Sequence, residues 1–64
     1  MSEIQWQEPL CGSGGNACIQ IGHTGDGTPI LRETSNPRDL LVTTRDGLRN
    51  FVDAAKRGDL DHLL

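Results

Sequence analysis

Four side chains in this 64-residue chain are suited to metal coordination or nucleophilic chemistry: Cys11, Cys18, His23 and His62. Thiolate and imidazole are zinc ligands, but structural zinc sites use closely spaced ligand pairs, and these four residues are dispersed. A cysteine nucleophile needs a base and an orienting group in mutual contact, which the spacing of Cys18 and His23 does not specify. We therefore expect a protein that is not an enzyme, without metal or cofactor.

The state of the two cysteines depends on the compartment. The acidic N-terminal residues 1–9 lack the hydrophobic core of a signal peptide, and this predicts a cytoplasmic protein. Free thiols are the expectation in a reducing cytosol. A Cys11–Cys18 disulfide, or a metal or redox switch through the same pair, remains the alternative.

The glycine-rich segment CGSGGN at residues 11–16 has the composition of a mobile connection. A phosphate-binding loop would require a lysine after its last glycine and a helix as the next element. Here no lysine follows, and the next element reads as a strand. We predict that residues 8–16 form a flexible loop.

Residues 44–57 carry the one unbroken helical period of the chain. Leu48, Phe51 and Val52 recur at a spacing that places them on a single apolar stripe, and Thr44 can cap the N-terminus. Because so short a helix is marginal alone in water, its stripe must pack on another element. This segment is therefore predicted to be the C-terminal helix, lying against the rest of the chain.

The preceding residues are typical of short antiparallel strands. Alternating or apolar runs at 4–6, 17–21, 29–34 and 40–43 are separated by turn residues, among them Asp26-Gly27. A parallel sheet would need crossover helices for which the chain has no length. We predict one α+β domain over 1–64: a small antiparallel sheet of three to four strands covered by one C-terminal helix. The predicted core comprises Trp6, Ile19, Ile21, Leu31, Val42, Leu48, Phe51 and Val52.

Size and charge restrict the possible partners. Six basic and nine acidic residues give a net charge of −3, which disfavours direct nucleic-acid binding. No apolar run is long enough to span a membrane. A chain of this length buries only about 60% of its unfolded surface, so we expect a homo-oligomer, most simply a dimer.

The order of these motifs resembles the actinobacterial family known as domain of unknown function 397, which includes the BldB-like small regulatory proteins. Members share an early tryptophan, a glycine-rich loop, a cysteine with alternating aliphatics, an arginine-acidic segment ending in proline, an aliphatic strand and an aromatic helix ending in glycine. The corresponding residues here are Trp6, 12–16, 18–21, 32–37, 40–42, Phe51 and 58–61. The chain departs from the family pattern at residues 7–9, Glu33, Thr34 and Leu48, as a divergent member would.

The resemblance implies a non-catalytic regulatory module that binds and modulates a helix-turn-helix transcriptional regulator of the XRE or WhiJ-like type, encoded nearby. It also implies self-association, with a toxin–antitoxin pair as the alternative function. The predicted partner-binding residues are Arg32, Glu33, Asp53, Leu60 and Leu63. Arg32 and Glu33 occupy adjacent strand positions and so point to opposite faces, which leaves a structural role for one of them equally open.

Overall fold

The computed structural model describes residues 3–12 and 16–64. Its elements are β1 (Gln5–Trp6), β2 (Ile19–His23), β3 (Pro29–Glu33), β4 (Leu41–Val42), the helix α1 (Arg45–Lys56) and a 3₁₀ turn (Asp61–Leu63). The strands form one sheet in the order β1-β2-β3-β4, each antiparallel to its neighbour. The predicted α+β fold class is confirmed.

The β2–β3 hairpin is the longest pairing in the sheet, with Ile21 opposite Leu31. Its turn is held by the carboxylate of Asp26, which accepts hydrogen bonds from the backbone and hydroxyl of Thr28 at 3.2 and 3.0 Å. Gly27 follows with φ of 87°, a left-handed conformation that glycine adopts without steric cost. The hairpin predicted around Asp26-Gly27 is therefore confirmed.

β2 begins two residues later than predicted and continues to His23. The additional residues belong to the strand because β1 supplies a second partner at this end: Gly22 pairs with Trp6, and His23 pairs with Gln5. The predicted flexible loop at 8–16 falls partly on residues 13–15, which lie outside the described residues. At its start, the backbone of Leu10 donates to the carbonyl of Ile19 at 2.8 Å.

Both ends of α1 are capped by local hydrogen bonds. The hydroxyl of Thr44 accepts from the backbone N–H of Gly47 at 3.0 Å, as the sequence predicts for an N-cap. At the other end Gly58 has φ of 83°. Its N–H donates to the carbonyl of Ala55, and the N–H of Asp59 donates to the carbonyl of Ala54. This pair of bonds is a Schellman motif, which ends the helix and turns the chain.

The buried core is small and differs from the predicted core. Cys18, Gln20 and Ile30 are at least nine-tenths buried. Of the eight predicted core residues, Trp6, Ile21, Leu31 and Leu48 are half-buried, and Ile19, Val42, Phe51 and Val52 are exposed. The core assignment is wrong for these last four. Ile19, Phe51 and Val52 stay exposed because only the start of α1, at Arg45 and Leu48, lines the cleft against the sheet. Val42 is exposed on the edge strand β4.

Within the described residues no helix combines the length and apolar character needed to cross a membrane.

Candidate functional site

The sheet has two faces that are covered very differently. Directly paired residues on neighbouring strands share a face, so the register assigns each side chain to one side. The Trp6 face comprises Trp6, Cys18, Gln20, Gly22, Ile30, Arg32 and Val42. The helix face, on the side of α1, comprises Gln5, Ile19, Ile21, His23, Pro29, Leu31, Glu33 and Leu41.

On the Trp6 face, an aromatic ring lies across three strands. The guanidinium carbon of Arg32 stands 3.9 Å from the centroid of the Trp6 ring, a cation–π contact between β1 and β3. The intervening position on β2 is Gly22, where a Cβ would stand 2.8 Å from Cε3 of Trp6 and 2.8 Å from the carbonyl oxygen of Gln5. The ring reaches Arg32 because Gly22 has no side chain.

A buried amide connects this ring to the rest of the face. Nε of Arg32 donates to Oε1 of Gln20 at 2.9 Å, and Nε2 of Gln20 donates to the carbonyl of Gln7 at 2.8 Å. In the described part of the chain, no buried polar side-chain atom lacks a hydrogen-bond partner. Arg32, a predicted partner-binding residue, is thus placed in an intramolecular cluster.

Cys11 and Cys18 form a disulfide, and the expectation of two free thiols is wrong. Leu10 pairs with Ile19 in antiparallel register. Because antiparallel segments run in opposite directions, Cys11, which follows Leu10, lies opposite Cys18, which precedes Ile19. The sequence predicts this disulfide only if the residues on either side of the glycine-rich segment are taken to pair with each other. Sulfurs held in a disulfide cannot serve as thiolate ligands, and the described residues contain no group of three or more side chains placed to hold a metal.

The helix face is open by comparison. A cleft of about 340 Å³ separates it from the start of α1, lined by Ile21, Pro29 and Leu48 with Arg45 beside them. A second hollow of about 210 Å³ is lined by three apolar and three charged side chains: Ile19, Leu31, Leu41, Arg32, Glu33 and Asp39. Ile19 is 48% exposed and Leu41 62%, so apolar surface continues from the cleft to the sheet edge.

α1 contributes its own exposed apolar and basic residues to the same region. Phe51 is 52% exposed and Val52 38%, although they belong to the apolar stripe. Arg45, Arg49 and Lys56 line a hollow of about 410 Å³ together with Leu48, Val52 and Asp53. Residues 45, 49 and 56 fall within about 40° of one another around a helix axis, so the three bases share one stripe of α1.

The other predicted partner-binding residues are placed as follows. The Glu33 carboxylate accepts from the hydroxyl and backbone N–H of Ser35, and these hydrogen bonds lower its pKa. Asp53 is exposed on α1 beside the basic residues. Leu60 is half-buried and Leu63 is 70% exposed at the end of the chain. Asp53 is therefore the one predicted residue that lies beside the open region of α1.

The chain matches no family model, no curated protein and no solved structure. The resemblance to the family of unknown function therefore stays a prediction from its motifs.

Proposed function

We propose that this chain is a non-catalytic interaction module that uses the helix face of the sheet, with the apolar stripe of α1, to bind a protein partner. The observation that carries the proposal is the apolar surface left exposed on the helix face at Ile19 and Leu41 and on α1 at Phe51 and Val52. Contiguous apolar surface of this kind marks binding sites in soluble proteins. Exposed apolar side chains offer contact area, so binding is the function that this site supports best.

The exposed area has the size that an interface requires. The chain exposes 5183 Å², whereas a folded monomer of 7.0 kDa exposes about 4,000 Å² by the scaling of area with mass. The excess of about 1,100 Å² exceeds the roughly 800 Å² that each partner contributes to a standard interface. Burial of one interface of standard size would therefore bring the exposed area of the chain close to the value expected from its mass.

The dimensions of the molecule agree with this area. Its radius of gyration is 12.6 Å, compared with about 10.7 Å for a compact domain of the same length. The extents of 38 × 27 × 17 Å describe a flat molecule. Small domains normally complete two packed layers, and here the second layer is incomplete.

The partner we propose is the helix-turn-helix regulator that the family resemblance implies, met in the cytoplasm, with a homodimer as the unbound form. A homodimer would cover the same apolar residues while the regulator is absent. Association with the regulator would then modulate transcription without any chemical step by this chain.

The test is light scattering on a sizing column, with the chain alone and mixed with the helix-turn-helix protein encoded beside it. We expect a mixed peak that disappears in Phe51→Ser and persists in Asn50→Ser, a matched exposed position on another side of α1. Absence of a mixed peak for the unchanged chain would contradict the regulator as partner. Persistence of the complex in Phe51→Ser would remove α1 from the binding site.

The disulfide favours a second candidate function, a redox switch. Cys11 is exposed, so a cytosolic dithiol can reach the disulfide bond. Transfer of two electrons and two protons from this dithiol would yield two cysteine thiols and convert the reductant to a disulfide. Reduction would release residues 8–11 from β2 and loosen the Trp6 face. Because Trp6 is the single tryptophan, its fluorescence should change on adding dithiothreitol and should not change in Cys11→Ser/Cys18→Ala. Identical spectra for the oxidised and reduced chain would contradict the switch.

A further inference from the structure

We propose that the segment filling the cleft beside α1 is an amphipathic helix with an apolar stripe flanked by carboxylates. This inference rests on the proposed function and specifies the chemistry of the partner at that site. It is based on the basic side chains of α1: Nε of Arg45 donates to the carbonyl of Gly27 at 3.5 Å, whereas Arg49 and Lys56 make no ion pair within the described residues.

Three of the six basic residues have a defined place elsewhere. Arg32 stacks on Trp6, Arg57 pairs with Asp59 at 3.1 Å, and Arg38 lies in the exposed turn before β4. The remaining three, Arg45, Arg49 and Lys56, share one stripe of α1. None of these three makes an ion pair within the described residues, although the chain has an excess of acid.

The basic stripe runs beside the apolar one. Val52 lies between Arg49 and Lys56 along the helix, and Leu48 continues the apolar residues into the cleft at Pro29. A ligand that contacts both stripes must present an apolar row with negative charge at its edge. This is the arrangement by which amphipathic helices bind in grooves, with flanking charges choosing the partner and its orientation.

The shape of the cleft favours a helix over an extended strand. The ligand would lie in the corner between α1 and the sheet, where Leu48, Ile21 and Pro29 line the cleft. A second helix there would pack against α1 at the usual interaxial distance of about 8–10 Å and complete the second layer. An extended strand would present only alternate side chains and would leave half of this corner uncovered.

Two other occupants of the cleft must be considered, a nucleic acid and a second copy of this chain, and charge bears on both. Asp46 and Asp53 occupy the neighbouring stripe of α1, so a nucleic-acid backbone would be repelled where it crosses the helix. A second copy of this chain would bring those same carboxylates to the basic stripe, and it is therefore the competitor that the experiment must distinguish.

The probe is a synthetic helical peptide of about 14 residues, with leucines on one stripe and glutamates beside them, carrying a fluorophore. A twin peptide has lysine in place of every glutamate. We expect anisotropy to show binding of the glutamate peptide at least about tenfold tighter than the lysine peptide, weakening as salt is added. In Arg49→Glu/Lys56→Glu the preference should invert towards the lysine peptide, whereas Arg38→Glu should change it by less than about twofold.

Equal affinity for the two peptides, or an unchanged preference in the double variant, would overturn the inference. Tighter binding of a duplex oligonucleotide, lost in the same variant, would assign the stripe to phosphate instead. A homodimer that excludes the glutamate peptide would assign the cleft to a second copy. Circular dichroism of each variant checks that these exposed substitutions leave the fold intact.

The proposed function can fail separately from this inference. If the regulator complex forms and is unaffected by Arg49→Glu/Lys56→Glu, the acidic helix is excluded and the interaction module stands. If the glutamate peptide binds while the regulator forms no complex, the acidic helix stands and the regulator is excluded as the partner.

Discussion

The Trp6 face and the helix face belong to the same four strands, yet the chain buries the middle of the first and leaves a cleft on the second. On the Trp6 face a disulfide, a stacked ring and a fully hydrogen-bonded Gln20 account for the buried groups. On the helix face, aliphatic side chains of equal size remain exposed beside a cleft. The difference teaches that stability and binding are carried by opposite sides of one sheet.

The largest difference between the two faces is expected in the free energy of unfolding when one apolar side chain on each side is truncated. Ile30→Ala removes a side chain that is 4% exposed, and we expect a loss of roughly 2–4 kcal/mol in the free energy of unfolding. Phe51→Ala removes a side chain that is 52% exposed and should cost less than about 0.5 kcal/mol. Urea denaturation measures both; similar losses would show that α1 contributes to the core after all.

The next effect concerns the glycine under the Trp6 ring. Gly22→Ala introduces a Cβ 2.8 Å from a backbone oxygen and from the ring, so we expect overpacking to cost about 1–3 kcal/mol. Gly12→Ala is the matched control, because a Cβ there meets nothing within 4 Å. Thermal unfolding should show a lower midpoint for the first variant alone, and an unchanged midpoint would mean that Trp6 is free to move off the sheet.

A smaller effect tests whether Arg32 is internal or binds the partner, the two roles that the sequence left open. Arg32→Lys keeps the charge but removes the Nε donor, so Oε1 of Gln20 loses its partner at a cost of about 1–2 kcal/mol. Trp6 fluorescence should shift with it, whereas Arg38→Lys in the exposed turn should change neither quantity. Weaker regulator binding at full stability would instead support the partner role.

The hairpin turn and the caps of α1 could be predicted because their signals are local. Asp26-Gly27, Thr44 and Gly58 each act within a few residues, and the structure confirms all three. The core could not be predicted in the same way because it depends on which side of the sheet is covered. Ile19 and Cys18 are neighbours on one strand, and alternation alone favoured the aliphatic side chain as the buried one.

The candidate site shows the same limit. The apolar stripe of α1 was visible in the periodicity, but its exposure follows from where the helix meets the sheet. The three bases were visible too, and their common stripe follows from helical spacing once α1 is established. Predicting the disulfide required knowing that Leu10 pairs with Ile19, a contact set by tertiary register and not by composition.

The smallest expected effect is a dependence of stability on pH near the end of β3. Hydrogen bonds from the hydroxyl and then the backbone N–H of Ser35 hold the pKa of Glu33 below its ordinary value of 4.5. A depressed pKa stabilises the fold above that ordinary value, and the contribution is lost as the pH falls through the lower, folded-state pKa. Glu33→Gln should therefore flatten part of the acid limb of a stability–pH curve, which urea denaturation at a series of pH values measures.

The two edges of the sheet have a consequence for how such an exposed surface persists in solution. β1 and β4, the edge strands, are each two residues long. An edge this short offers too few free backbone donors and acceptors to template another strand, so edge-to-edge polymerisation is discouraged even though Leu41 and Val42 are more than half exposed. Because its edge strands are short, the chain can expose aliphatic side chains to a partner without assembling into fibres.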